Sequence, residues 1–356
     1  MMRYKTFKQS GFTVVELMVG LLLSLILVAG ILQVYLGSKT TYRVTEGLSR
    51  LQENTRASAE MLAKDIRMAG YIPCSQPQNA VSIVDSNAWW AQLFNTPILG
   101  FEGDTSTTLP PTNLVANAKV GSDAIMVLRG GARVAGVQLF DASNNQFILQ
   151  RDVESSWVED GSLMIACDSS NARLFQASNV GTDTVTLADN AAVPGNNGAI
   201  NHSFGNDAQI ANYSAVIYYI TASSSGSSSG NGFSLYRSYL NVNGAGENAP
   251  ETEELAEGIE NMQLLYGYDS TGDGIANRYL RANDALLSTA ADWQNVVAVR
   301  IGLLYASEDG LREGNDLDDN RYVVANTLIG PSTTVSHEED QRKRYVASMT
   351  VSLRNL

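Results

Sequence analysis

The stretch FTVVELMVGLLLSLILVAGILQVYL, residues 12–36, constrains this chain more than any other feature. It carries one charge, Glu16, and no other from Leu17 to Ser38. A helix needs about 20 apolar residues to cross a bilayer core, so this segment is long enough to span one. The preceding residues hold Arg3, Lys5 and Lys8 without an acid, which places that flank in the cytoplasm by the positive-inside bias. Everything after the span is then expected on the far side. A cleaved secretory signal has an apolar core of only about 7–15 residues, shorter than this run. A plain signal anchor fits the length, but it gives no reason for a carboxylate inside the span, where a charge is costly and usually has a task.

The apolar pattern changes character after Leu36 without a break. Val44, Leu48, Leu51, Thr55, Ala59, Leu62, Ile66 and Ala69 recur every three or four residues, one face of a helix. Arg43, Arg50, Glu53, Arg56, Glu60, Lys64 and Asp65 fill the other faces. Gly70 and Pro73 are stop signals, so one helix is expected over residues 12–69, about 87 Å long. Its second half has a stripe suited to packing on a folded head.

From Tyr71 to Val120 the sequence is rich in proline and weakly periodic, and is expected to form loops with short elements; the pair Trp89-Trp90 suits a contact site or buried loop anchors. Strand patterns follow at Ala124–Leu128, Gln146–Arg151, Ser162–Cys167, Arg173–Ala177 and Thr184–Leu187. Ser214–Thr221 and Phe233–Leu240 flank a Ser/Gly tract and make a hairpin with a flexible connection. Ile259–Tyr268, Val296–Tyr305 and Tyr345–Leu353 complete the set. The expected class is α+β, one long helix packed on an antiparallel sheet head.

The chain has 356 residues, 44% of them hydrophobic, and a net charge of −13. An acidic surface repels phosphate backbones, so nucleic acid is disfavoured as a partner. The two cysteines, Cys74 and Cys167, allow a single pairing. An oxidising compartment outside the inner membrane favours that disulfide, with free buried thiols as the alternative.

Several blocks carry a family resemblance. K-Q-S-G-F-T-V-V-E-L, followed by the apolar run, resembles the class III signal of type IV prepilins. G-I-E-N-M-Q-L-L-Y-G-Y-D, D-W-Q-N-V-V-A-V-R-I-G-L-L and the terminal S-L-R-N-L resemble the PilW family of minor pilins, with looser support from A-G-Y-I-P-C and C-D-S-S-N-A-R-L-F-Q-A. The related J-type pseudopilins of type II secretion share the architecture. The resemblance implies cleavage between Gly11 and Phe12, N-methylation of Phe12, and a filament-assembly role for Glu16. It implies a leader over 1–11, a transmembrane and filament-core helix over 12–36, its amphipathic continuation over 37–70, and a periplasmic head over 71–356. Implied partners are other minor pilins, the major pilin, the prepilin peptidase and a tip adhesin. The implied location is the inner membrane and the pilus tip, with roles in pilus biogenesis, twitching motility and adhesion.

Among candidate sites, D-S-T-G-D-G-I-A-N sets Asp269, Thr271, Asp273 and Asn277 at calcium-loop positions one, three, five and nine, with Gly274 at the turn. Leu280 stands where a bidentate glutamate belongs, so a polar turn is the alternative; Asp284 is a candidate second carboxylate. No cofactor is required by any motif, and calcium is the one ion the spacing suggests. Gly226–Gly230 matches G-x-S-x-G only within a Ser/Gly tract that no helix follows. His202 and His337 are isolated, and His337 sits in a run expected to be a solvated charged loop. Nothing in the sequence points to an enzyme.

Overall fold

The computed structural model describes residues 11–74, 78–84, 89–103, 115, 117–151, 158–189, 192, 194–224, 232–243, 246–307, 310–312 and 316–355. The basic flank of Arg3, Lys5 and Lys8, the Ser/Gly tract Gly226–Gly230 and the side chain of Trp89 lie outside the described residues. The chain divides into two compact units, Met1–Arg50 and Leu51–Leu356.

Helix α1 runs Val14–Arg67 and is long and apolar enough to cross a membrane. In the first unit, every large apolar side chain from Phe12 to Leu36 is more than half exposed. Such a surface needs lipid or other helices to cover it.

In the second unit α1 buries Leu51, Ser58, Leu62, Asp65 and Ile66, one stripe at helical spacing. It ends in a tight last turn, and Gly70 follows at φ 72°, where a Cβ would stand 2.7 Å from the Asn355 carbonyl oxygen. Two buried residues differ from the expected stripe. Asp65, assigned above to a polar face, points inward and accepts from Arg129 at 3.1 Å and from the Tyr218 hydroxyl at 2.5 Å. Ser58 meets the Tyr305 hydroxyl at 2.9 Å. Both buried polar groups are satisfied, as burial demands.

The strands begin with β1 Asn79–Ser82, β2 Ile98–Phe101, β3 Ala124–Asp141, β4 Gln146–Leu149, β5 Leu163–Cys167, β6 Asn171–Val180, β7 Thr184–Leu187 and β8 Gln209–Ala222. The segment expected as Ala124–Leu128 is thus far longer, because β3 bulges past Gly130 and continues along a second set of partners. The antiparallel pairings β3–β4, β4–β7, β7–β6, β6–β5, β5–β8 and β8–β3 close into a ring. Closure removes the strand edges that an open sheet would expose. Phe147 fills the interior, with ring centroids of Phe140, Phe175 and Phe204 at 4.8, 5.3 and 5.7 Å. Strand β5 is buried on both faces: Met164 and Ala166 face this interior, while Leu163, Ile165 and Cys167 join a second cluster with Trp90 and Leu128. Strand β1 pairs with β6 in parallel, an exception to the antiparallel expectation.

β9 Phe233–Val242 and β10 Asn248–Glu257 extend the sheet beyond β8. The β8–β9 hairpin is as expected, whereas β10 lies outside the expected strands, because its four glutamates and Pro250 give no strand pattern. A second sheet has the order β12-β11-β13-β16, built from β11 Ile259–Tyr268, β12 Arg278–Leu280, β13 Val296–Ala306 and β16 Arg344–Ser352. A short hairpin, β14 Tyr322–Val324 with β15 Thr327–Ile329, packs Val324 and Ile329 on Leu304. Helix α2, Ala290–Trp293, precedes β13. The largest cluster joins Leu62 and Ile66 of α1 with Val127, Tyr218, Leu264, Tyr266 and Ile301, so helix and both sheets share one core. The fold is α+β, a helix packed on a sheet head.

Candidate functional site

Gly11 and Phe12 precede α1 in exposed, non-helical backbone, and Thr13 caps the helix that starts at Val14. The Glu16 carboxylate accepts from the Thr13 backbone N–H at 3.2 Å and from its hydroxyl at 3.1 Å. In return the Glu16 N–H donates to the Thr13 hydroxyl oxygen at 3.3 Å. This is a capping box, in which a Thr and a Glu three residues on satisfy each other's free amides. The sequence signal for it is the spacing T-x-x-E at Thr13 and Glu16, which lies beside the charge that marks the span.

Cys74 and Cys167 are bonded, with Cα atoms 5.9 Å apart across 93 residues of chain. The bond ties the turn after α1 to the end of β5. Next to it, Asp168 takes the His202 Nε2 at 2.5 Å and the amides of Ser170 and Asn171 at 2.7 Å each.

In the Asp269 loop the side chains named above make hydrogen bonds within the loop itself. Asp269 Oδ1 accepts from the amides of Thr271 and Gly272 at 2.8 and 2.7 Å and from the Thr271 hydroxyl at 3.1 Å. Its Oδ2 accepts from Gly274 at 2.6 Å. Burial alone would raise the Asp269 carboxyl, but these amides hold it below its ordinary value. Asn277 caps Ser270 through 2.7 and 3.0 Å bonds, and Asp273 holds only the Ile275 amide, at 2.9 Å. Asp284 caps a short 3-10 turn through the Leu286 amide. Among the described residues no group of three or more His, Cys, Asp or Glu is placed to hold a metal.

The charged run around His337, expected to be a solvated loop, is so only in part: Glu338 and Glu339 are exposed, whereas His337, Arg342 and Arg344 are buried. His337 is buried between the carbonyl oxygens of Glu338 and Asn320. Arg344, fully buried, donates to Glu260 at 2.5 Å, to Asp318 at 3.1 Å and to Asp340 at 2.8 and 2.9 Å. Lys119 lies 3.5 Å from Glu260 and over the Phe233 ring; burial lowers its ammonium despite the Glu260 charge. The network pins the β13–β16 connection to the sheet, because an unpaired charge at this depth is expensive.

A cleft of about 510 Å³ is lined by Glu102, Asp123, Gln263, Arg281, Thr327 and Thr333, among others. Burial first, then the nearby Glu102 charge, push the Asp123 carboxyl up to about 8. Its oxygens accept from the amides of Leu264 at 2.8 Å and Gly103 at 3.2 Å, which joins β11 to the end of β2. That is the geometry of a structural carboxylate.

Comparison with known families adds two matches. Residues 6–32 match the prokaryotic N-terminal methylation motif, and residues 217–355 match a family described as type IV pilus-assembly protein W. No curated protein matches the chain. Together the helix, the sheet head and the two matches support a type IV pilus-related pilin. More particularly, they are consistent with a prepilin-like minor pilin of the PilW type. The matched C-terminal segment runs from mid-β8 to just beyond β16, so most of the closed ring precedes it.

Proposed function

We propose that this chain is a PilW-like minor pilin that helps to prime pilus assembly and forms part of the pilus tip. The observation that carries the reading is the pairing of a methylation-motif N terminus with a PilW-type C-terminal segment in one chain. Prepilin peptidase cuts between Gly11 and Phe12, and Phe12 is methylated. Residues 12–36 hold the protein in the inner membrane and later enter the filament core, residues 37–70 continue the helix, and residues 71–356 form the periplasmic head. Other minor pilins, the major pilin and a tip adhesin are its partners, and pilus-dependent twitching and adhesion depend on it. The protein acts as a structural subunit.

Cleavage leaves an ammonium on Phe12, and Glu16 lies one helical turn further on. In hydrocarbon each charge is costly alone, and an opposite charge from an adjacent pilin offsets part of that cost. Glu16 therefore sets the register with which the helix enters the bundle. Intact mass of membrane-extracted protein tests processing: a terminus at methylated Phe12 is expected, and one at Met1 overturns the reading. Glu16→Gln separates charge from cap, because Gln also closes a capping box. The variant is expected to be cleaved and inserted normally yet depleted from sheared pili, as is Glu16→Ala. Wild-type recovery of Glu16→Gln would overturn the charge role. Loss of type II secretion, with intact pili, on deleting the gene would assign the chain to a J-type pseudopilus instead.

A further inference from the structure

The sheet edges of the second unit are treated unequally. Strand β10 ends its sheet with Pro250, Glu251, Glu253, Glu254 and Glu257, and a bulge between Glu254 and Ala256. At the other end β2 has four residues, and in the second sheet β12 has three. Charge, proline, bulges and shortness are the means by which proteins keep open edges from pairing. Beyond the buried Arg344 at its start, strand β16 has none of them. It runs nine residues, its register with β13 is unbroken from Ala306–Arg344 to Ala298–Ser352, and after Arg344 it carries no charge. Among the described residues no strand pairs with its outer side. Every second residue there turns its N–H and C=O away from β13.

We propose that the outer edge of β16 pairs, antiparallel, with β16 of a second copy of this chain, joining two four-stranded sheets into one. The sequence of the strand favours this occupant. Tyr345, Ala347, Met349 and Val351 form the row packed toward the α1 core. Val346, Ser348, Thr350 and Ser352 form the opposite row, with Ser348, Thr350 and Ser352 exposed. A two-fold axis at Ser348 sets Ala347 against Met349 and Tyr345 against Val351 on one face. On the other it sets Val346 against Thr350, Ser348 against itself, and Arg344 against Ser352. Apolar thus meets apolar, and hydroxyl meets hydroxyl or valine. No like charges meet, the condition under which cross-strand pairs stabilise rather than repel. Isologous pairing about a two-fold is also the commonest symmetry of protein assemblies. One strand pair buries less than the roughly 1,200 Å² of a stable interface, so the contact is reversible. The inference does not depend on leader processing.

The test uses full-length protein in its native membrane. Ser348→Cys is oxidised and compared with Ser143→Cys, an equally exposed position in the turn between β3 and β4. A disulfide-linked homodimer through position 348, several-fold above the control, is expected. Carbodiimide is then applied to membranes holding the Ser348→Lys copy, the Ser348→Glu copy, or both. A cross-linked dimer is expected only in the mixture, while melting temperatures match the parent because Ser348 is exposed. Absence of the homodimer, equal linking in the control, linking only to a different protein, or failure of the mixture to cross-link would each overturn the proposal.

Discussion

Glu16 serves two partners in sequence. Within the chain its carboxylate closes the first turn of α1 with Thr13, and in the proposed assembly it faces an ammonium. The two roles are compatible, since a carboxylate has about four acceptor sites and the cap uses only part of them. The Asp269 loop poses a similar question with a different balance. Asp269 already accepts three backbone amides, so removing it collapses the turn whether or not an ion binds. Asp273 holds only Ile275 and is the cleaner probe. The calcium proposal predicts that calcium raises the melting temperature of the full-length protein in detergent, and that Asp273→Ala abolishes the rise. A parent protein whose melting is indifferent to calcium leaves the turn as a turn.

At the scale of the element, β10 illustrates how charge is used to finish an edge. Burial alone would raise the Glu254 carboxyl, but hydrogen bonds from Ser224 and Ser223 overcome it and hold the group at about 2. A carboxyl held below its unfolded value stabilises the fold above that value and loses the contribution as pH falls toward its folded value. Melting temperature should therefore decline from about pH 5 to about pH 2 in the parent. In Glu254→Gln that decline should be shallower, and an unchanged slope would show that the serines hold nothing. The disulfide belongs to the same scale, since it fixes the exit of α1 to β5. Closing a loop of 93 residues restricts the unfolded chain and is worth roughly 2–4 kcal/mol. Replacing both cysteines by serine should lower the melting temperature by several degrees; non-reducing peptide mapping should recover the Cys74–Cys167 peptide only in the parent.

Legibility followed the physics of each element. Ile259–Tyr268 and Thr184–Leu187 were readable to the residue because Gly258, Asp269, Asp183 and Ala188 bracket runs of apolar or β-branched residues. Strand β10 was not, because its glutamates satisfy neighbours on β9 and the adjoining turn, such as Arg237 and Tyr236, that only the fold brings close. Asp65 likewise looks solvated in a helical wheel, and its partners lie 64 and 153 residues away. Ring closure through β3 and β8 rests on pairings no local pattern contains. The N-terminal site was legible as a motif, though its hydrogen-bonded cap was overlooked. The calcium spacing was legible as spacing, whereas the amides that Asp269 accepts from Thr271, Gly272 and Gly274 show only in the folded loop.

For the molecule as a whole, the first residues of the head rest on the last. Part of the bed of α1 is a sheet made from residues beyond Ile259; Ser58 meets Tyr305 across 247 positions and the Tyr345 hydroxyl reaches the Leu51 carbonyl across 294. Contacts of such separation make a domain slow to fold, because the closure entropy comes before the reward. A head completed from its amino end would hold a half-supported amphipathic helix until nearly the whole chain had emerged. During that interval the ring of strands, complete by β8, is able to form and to trap its disulfide, whereas the part of the helix bed made by β11, β13 and β16 is not. An interrupted or truncated chain therefore presents a partly bare apolar stripe, the kind of surface that makes incomplete chains prone to aggregate. The topology makes the arrival of the carboxyl terminus the event that marks a subunit as fit for use.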